Sequence, residues 1–175
     1  MSQSINLYKQ LADHKLFNKS VNFGLKRIKL ALNQLGNPEK KLKNVVSVIG
    51  ESGKFTTLFS LKSFLEANNK TVTTHISPSL RDIKERFYMG KKYLSHKDIG
   101  KTIQKIEKLK IPLTIFECLT LVYVINASKV NADYNIQETG ALWRLDSNNV
   151  VDFPKLQICT NINKQHLNFL RRKTL

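Results

Sequence analysis

The stretch from Val45 to Thr56 constrains the fold more than any other part of the chain. The apolar, β-branched run Val45 to Ile49 ends on a loop with two glycines, Gly50 and Gly53, and a long amphipathic segment follows. That order is typical of a buried strand, a glycine loop that cradles phosphate, and the N-terminus of a helix. The loop departs from the ordinary P-loop, because Val48 stands where the first glycine would be and Phe55 separates the lysine from the hydroxyl.

The composition indicates one globular domain. A chain of 175 residues with 41% apolar residues can bury a single core. No apolar run reaches the length of a membrane span, and the first residues lack the apolar core of a secretory signal. Cys118 and Cys159 are too few and too isolated for a disulfide framework or a metal cluster. We therefore expect a cytoplasmic protein that does not associate with membranes.

The net charge of +16 is the unusual total. A strong basic excess suits nucleic acid, anionic membranes or phosphate-rich ligands. Here the lysines are spread along the chain, and no RNA- or DNA-binding motif organises them. The sequence therefore favours a solvated, lysine-rich surface, and we do not expect nucleic acid as a partner.

Apolar periodicity and breaker residues divide the chain into alternating strands and helices. Residues 81–93 have no clean period and are interpreted as a loop. We predict helices at 24–35, 54–67, 96–109 (capped by Ser95) and 113–127, and strands at 45–49, 71–76, 134–137 and 156–160. This alternation indicates an α/β fold, a mostly parallel sheet flanked by helices. Ligands of such sheets bind at the carboxyl ends of the strands, where Gly50, Ser77, Glu138 and Asn161 are expected.

Five further segments carry a resemblance to a known family. They occur in one order along the chain: Phe23 to Ile28, Ser77 to Leu80 with Glu85-Arg86, Leu113 to Glu117, Glu138 to Val150, and Thr160 to Ile162 with His166. Together with the loop Gly-x-x-Gly-Lys-x-Thr, this series resembles folylpolyglutamate synthase/dihydrofolate synthase of the Mur ligase superfamily. The resemblance implies a Mur ligase-like central domain.

The resemblance also implies a reaction and a set of site residues. Enzymes of this family use ATP to phosphorylate a carboxylate and let the amine of glutamate attack the acyl phosphate. The implied cofactors are ATP and Mg²⁺, and the implied substrate is a folate or dihydropteroate. No catalytic residue is assigned with certainty. The resemblance implies that the nucleotide is bound by Gly50, Glu51, Ser52, Gly53, Lys54, Phe55 and Thr56. It implies that the metal is bound by Ser77, Glu138 and His166, and that the substrate is bound by Phe23, Thr114, Ile115 and Phe116.

Departures from the family pattern change the expected activity. Glu51 puts a carboxylate inside the phosphate cradle, Phe55 replaces a glycine, and Trp143 lies within a second glycine run of the family. We interpret residues 1–175 as a single, truncated and degenerate N-terminal ATPase-like domain, with a leading helical segment over 1–43 and a P-loop core over 44–170. The C-terminal glutamate-ligase domain is expected to be absent, and the chain to be weakly active or inactive alone.

Two alternatives stay open at this point. In the first alternative, the chain is half of a split ligase that needs a separate C-terminal partner. In the second, it is a nonenzymatic binding protein that uses its basic surface.

Overall fold

The computed structural model describes residues 24–140 and 143–162. In this part of the chain, a five-stranded sheet lies between two layers of helices. Three short 3-10 turns, Pro38–Lys41, Ile83–Arg86 and Trp143–Leu145, connect these elements. The helices are α1 (Lys26–Gln34), α2 (Lys54–Ala67), α3 (His96–Glu107) and α4 (Ile115–Ala127). The strands are β1 (Val45–Ile49), β2 (Val72–His75), β3 (Phe87–Met89), β4 (Tyr134–Glu138) and β5 (Leu156–Cys159).

The strand order is β3-β2-β4-β1-β5. Strands β1, β2, β4 and β5 are parallel, and β3 pairs antiparallel with β2 at the edge. The prediction of a mostly parallel sheet flanked by helices is therefore confirmed. Because β1 lies between β4 and β5, the loop after β1 is flanked by the carboxyl ends of both neighbours.

The two faces of the sheet differ in polarity. Toward α2, the strands present an apolar set that buries Leu58 of that helix: Val46, Val48, Val72 and Ile136. Toward α4, the alternate positions are buried but polar: Ser47, Thr73, His75, Asn135 and Gln137. We call these five residues the polar layer. Thr73 Oγ1 lies 2.9 Å from Tyr123 Oη of α4 and donates to Asn135 Oδ1 over 2.6 Å, so hydrogen bonds link the layer to α4 and across the strands.

A second apolar cluster joins α1, α3 and α4. Its members include Ile28, Leu32, Ile99, Ile103 and Leu121, all buried. The helix starts follow the sequence: the Ser95 hydroxyl accepts from the Asp98 amide, as predicted, and Thr114 and Glu117 form a reciprocal capping box on α4. None of the described helices has both the length and the apolar character that a membrane crossing requires.

The predicted loop over 81–93 is wrong in part. This segment contains the turn Ile83–Arg86 and strand β3, which pairs with β2. Three residues are too few to show a period, and pairing with another strand is a tertiary effect. The remaining predicted elements start and end within two residues of those observed. The predicted domain limits, 1–43 and 44–170, extend beyond the described residues and stay predictions.

Candidate functional site

The glycine loop after β1 has the geometry of a tight turn into a helix. Gly50 has φ +122° and Gly53 has φ +80°, conformations that favour glycine, and α2 begins at Lys54. Phe55, in contrast, lies within the first turn of α2, and its ring is exposed and stacks on Phe59 at 5.6 Å between centroids. The backbone at Phe55 therefore does not need the conformational freedom of the glycine that the family has there.

The amino group of Lys54 folds back over this loop. Its Nζ donates to the carbonyl oxygens of Gly50 at 2.7 Å and of Glu51 at 3.1 Å. The ammonium therefore lies at the mouth of the loop, where it could contact an anion. Ser52 and Thr56 are exposed beside it, while the Glu51 side chain is half-buried.

Ser77 and Glu138, two predicted metal ligands, come together at the carboxyl edge of the sheet. The Ser77 amide donates to Glu138 Oε2 over 3.2 Å, and the buried Arg86 guanidinium donates to Ser77 Oγ over 3.3 Å. Burial raises the pKa of Glu138, while the Ser77 amide and the charges of Lys54 and Arg86 oppose that rise. A cation bound at this carboxylate would favour its ionised form.

His166, the third predicted ligand, lies outside the described residues, as does Phe23. Within 24–140 and 143–162, no group of three or more His, Cys, Asp or Glu residues could hold a metal ion. Two of the three predicted metal ligands, Ser77 and Glu138, thus lie in the described part of the chain and are in contact.

Asp146 lies beside these groups and was not predicted as a site residue. Its carboxylate accepts from the Gly140 amide at 3.1 Å and from the Asn148 amide at 2.9 Å. Burial raises its pKa, and the charge of Lys54 acts in the opposite direction. Its position within the motif Glu138 to Val150 was the available signal, but a sequence motif alone does not show which carboxylate is buried near the lysine.

Asn148 connects this edge to the polar layer. Its Nδ2 donates to the Glu138 carbonyl over 2.9 Å, and its Oδ1 lies 3.0 Å from His75 Nδ1 and accepts from Thr120 Oγ1 at 3.3 Å. Because Oδ1 can only accept, the His75 Nδ1 must carry a proton. The backbone of Glu138 is therefore tied to both β2 and α4.

Three of the four predicted substrate residues, Thr114, Ile115 and Phe116, lie at the N-terminus of α4. Thr114 caps the helix, Ile115 is half-buried, and Phe116 is 52% exposed. The Glu117 carboxylate accepts from the Thr114 amide at 2.7 Å and from Arg27 Nε at 3.1 Å, which fixes this end of the helix. Since a crossover helix runs antiparallel to its strands, this terminus lies at the same edge of the sheet as Ser77 and Glu138.

Comparisons with known proteins identify relatives of this chain. No model of a known protein family matches it. The dihydrofolate synthase/folylpolyglutamate synthase of Bacillus subtilis is 32% identical over an alignment of 168 residues, and the match covers 90% of this chain and 38% of the relative. The corresponding enzyme of Escherichia coli is 32% identical over 157 residues, 89% of this chain and 37% of the relative.

Solved structures agree with this relationship. The structure of Escherichia coli FolC in complex with DHPP and ADP has 30% identity and a TM-score of 0.86, and the match covers 95% of this chain and 40% of FolC. The bifunctional enzyme of Yersinia pestis, complexed with AMPPNP and Mn, has 27% identity, a TM-score of 0.79, and a match over 89% of this chain and 37% of the enzyme. Over the part that it spans, which is less than half the length of these relatives, the chain is similar in both sequence and fold to folylpolyglutamate synthase/dihydrofolate synthases.

Proposed function

We propose that these 175 residues supply the ATP- and folate-binding part of a folylpolyglutamate synthase-like ligase. In the reaction of such a ligase, ATP activates a folate or dihydropteroate carboxylate as an acyl phosphate, and glutamate then adds to it. Because the chain spans only 37% to 40% of the relatives compared above, we further propose little or no glutamate ligation by the chain alone. The structural relatives that hold ADP or AMPPNP and Mn support the nucleotide and metal.

One observation carries the proposal: the glycine loop and the Ser77–Glu138 pair share one edge of the sheet. The Lys54 ammonium is close enough to both Glu138 and Asp146 to oppose the rise of their pKa values. Phosphate on the loop and a cation at the carboxylate would thus be neighbours. The family relationship favours this function over that of a nonenzymatic basic binding protein.

The donor set at this edge fits Mg²⁺. Hydroxyl and carboxylate oxygens are the ligands that this hard cation prefers. Within residues 24–140 and 143–162, the Glu138 carboxylate accepts a single hydrogen bond, from the Ser77 amide. Ser77 and Glu138 would hold the ion, with His166 as a further proposed ligand. When bound, Mg²⁺ neutralises charge on the phosphates of ATP. The chain itself contributes the loop amides and Lys54 to orient those phosphates.

The folate-like substrate is placed at the start of α4. An exposed ring at Phe116 offers a flat apolar surface for a pterin, beside Thr114 and Ile115. Phe23 completes the proposed substrate contacts. Both cysteines are free, Cys118 buried and Cys159 exposed, which supports our proposal of a cytoplasmic location.

Isothermal titration with ATP and Mg²⁺ tests the nucleotide site. The unmodified chain is expected to bind, and Lys54→Ala should weaken binding about 10- to 100-fold, the range that corresponds to a hydrogen bond to a charged group. Lys70→Ala, which removes an exposed lysine just after α2, is the matched control and should bind as the unmodified chain does. Equal heats from Lys54→Ala and the unmodified chain would refute a working cradle.

A glutamate-ligation assay tests the second part of the proposal. The chain alone, supplied with ATP, Mg²⁺, glutamate and a folate, should show negligible product. Robust turnover would overturn the view that this chain does not complete the ligase reaction by itself.

A further inference from the structure

Asn161, which follows β5, makes the contacts that hold the glycine loop in place. Its Oδ1 accepts from the Ser52 amide at 2.8 Å and from the Glu51 amide at 3.1 Å, and its carbonyl oxygen lies 3.2 Å from the same Glu51 amide. Two residues of the loop are thus bound by one side chain that is more than 100 positions away in sequence.

The end of β5 also packs directly against the first glycine of the loop. A Cβ added at Gly50 would collide with Thr160 Oγ1 and would lie 2.8 Å from the Asn161 carbonyl oxygen. The Thr160 amide and hydroxyl both donate to the Ile49 carbonyl, at 3.0 and 3.2 Å. The loop and the end of β5 therefore form one packed unit.

Asn161 contacts the glycine loop from the β5 side and leaves the amides at the start of α2 without a hydrogen bond to the described residues. In the strand order β4-β1-β5, Glu138 at the end of β4 and Asn161 after β5 lie on opposite sides of the loop. The first amides of a helix have no partner within it, and those of Gly53, Lys54, Phe55 and Thr56 make no hydrogen bond to any residue in 24–140 or 143–162. Asn161 binds only the two amides that precede them.

We propose that Asn161 is a positioning residue for the phosphate loop: it fixes the backbone of Glu51 and Ser52 so that the amides at the start of α2 meet phosphate in a preformed cradle. This inference rests on the proposed ATP binding. A preformed loop spares the cost of ordering on binding, so the loss of Asn161 should appear as weaker nucleotide binding.

The test combines amide exchange with nucleotide titration on the full chain. In Asn161→Ala, the Ser52 amide should exchange at least about 10-fold faster, and Mg²⁺-ATP should bind about 10-fold more weakly, as expected for lost bonds of ordinary strength. Asn161→Asp keeps the acceptor, so exchange at Ser52 should stay slow, but its charge near the cradle should still weaken ATP binding. Asn131→Ala is the matched control, because Asn131 precedes β4 and lies at the opposite edge, where it accepts from Lys43; neither measurement should change.

Three outcomes would count against the inference. Unchanged exchange at Ser52 in Asn161→Ala would overturn it, and so would ATP affinity equal to that of the unmodified chain. Tighter ATP binding by Asn161→Ala would also overturn it, since the amide oxygen would then block the cradle. If the unmodified chain bound no ATP, the proposed function would fail, and the exchange rate at Ser52 would still decide whether Asn161 holds the loop.

Discussion

His75 should make the stability of this protein depend on pH. The imidazole is buried between the rings of Phe87 and Tyr123, at 5.5 and 5.1 Å between centroids. Burial, helped by the nearby charge of Arg86, lowers its pKa from 6.5 to about 3, although the hydrogen bond with Asn148 acts in the opposite direction. The folded protein therefore keeps this histidine neutral at a pH at which the unfolded chain protonates it.

The lowered pKa fixes the sign and size of the effect. The contribution is fully present above pH 6.5 and is lost as the pH falls toward 3, because the unfolded state then binds the extra proton. Between pH 7 and pH 5, this histidine alone should lower the free energy of unfolding by about 2 kcal/mol, at 1.36 kcal/mol per pKa unit. Burial raises the folded-state pKa values of Glu138 and Asp146, which adds an effect of opposite sign.

Urea unfolding at pH 7 and pH 5 measures this difference. The variant His75→Asn keeps a donor toward Asn148 and does not titrate, so it should be less stable at pH 7 but lose about 2 kcal/mol less than the unmodified chain on acidification. Comparing the change in unfolding free energy from pH 7 to pH 5 between the two proteins removes the contribution of other groups. An equal change in both proteins would refute the assignment of a buried neutral imidazole at this position.

Two further predictions concern stability. Gly50→Ala should destabilise the protein by about 1–3 kcal/mol, because φ is +122° and the new methyl group would collide with Thr160 and Asn161. Gly100→Ala, in α3 with open space around it, should instead stabilise the protein by about 1 kcal/mol. Urea unfolding of both variants checks this contrast, and an equal loss of stability in the two would contradict it. Glu117→Gln should cost about 1–3 kcal/mol, because it removes the charged acceptor shared by Arg27 and the Thr114 amide, and a thermal midpoint unchanged from that of the unmodified chain would show that this contact contributes little.

Local patterns in the sequence were sufficient for the elements and for the glycine loop. Strand β1 is an apolar β-branched run, and the turn at Gly50 needs a residue that accepts a positive φ, so both are visible in a short window. Ser77 and Glu138 were predicted together because carboxyl ends of parallel strands share an edge, and their 3.2 Å contact confirms that they meet. Their role as metal ligands stays a proposal.

Contacts between distant segments could not be predicted in the same way. Asn161 was expected at a strand end, but its bonds to Glu51 and Ser52 depend on β5 pairing beside β1, which no local pattern specifies. Likewise, Asp146 and Asn148 acquire their partners only after the 143–149 segment folds back on Gly140 and Glu138. The partners of these side chains therefore depend on long-range strand pairing, which short sequence patterns do not specify.

The polar layer has a consequence for how the strands assemble. A slip of β4 by one residue would exchange its two faces, turning Asn135 and Gln137 toward the apolar side of Leu58 and Ile136 toward the hydrogen-bonding groups of α4. Each amide stranded without a partner would cost about 1–3 kcal/mol. The alternation of apolar and polar residues along the strands thus favours α2 on the apolar face and α4 on the polar face, and it disfavours strands paired in the wrong register. Because a slip would also displace Glu138 along the edge, the buried side chains of the polar layer help to set the spacing between that carboxylate and the glycine loop.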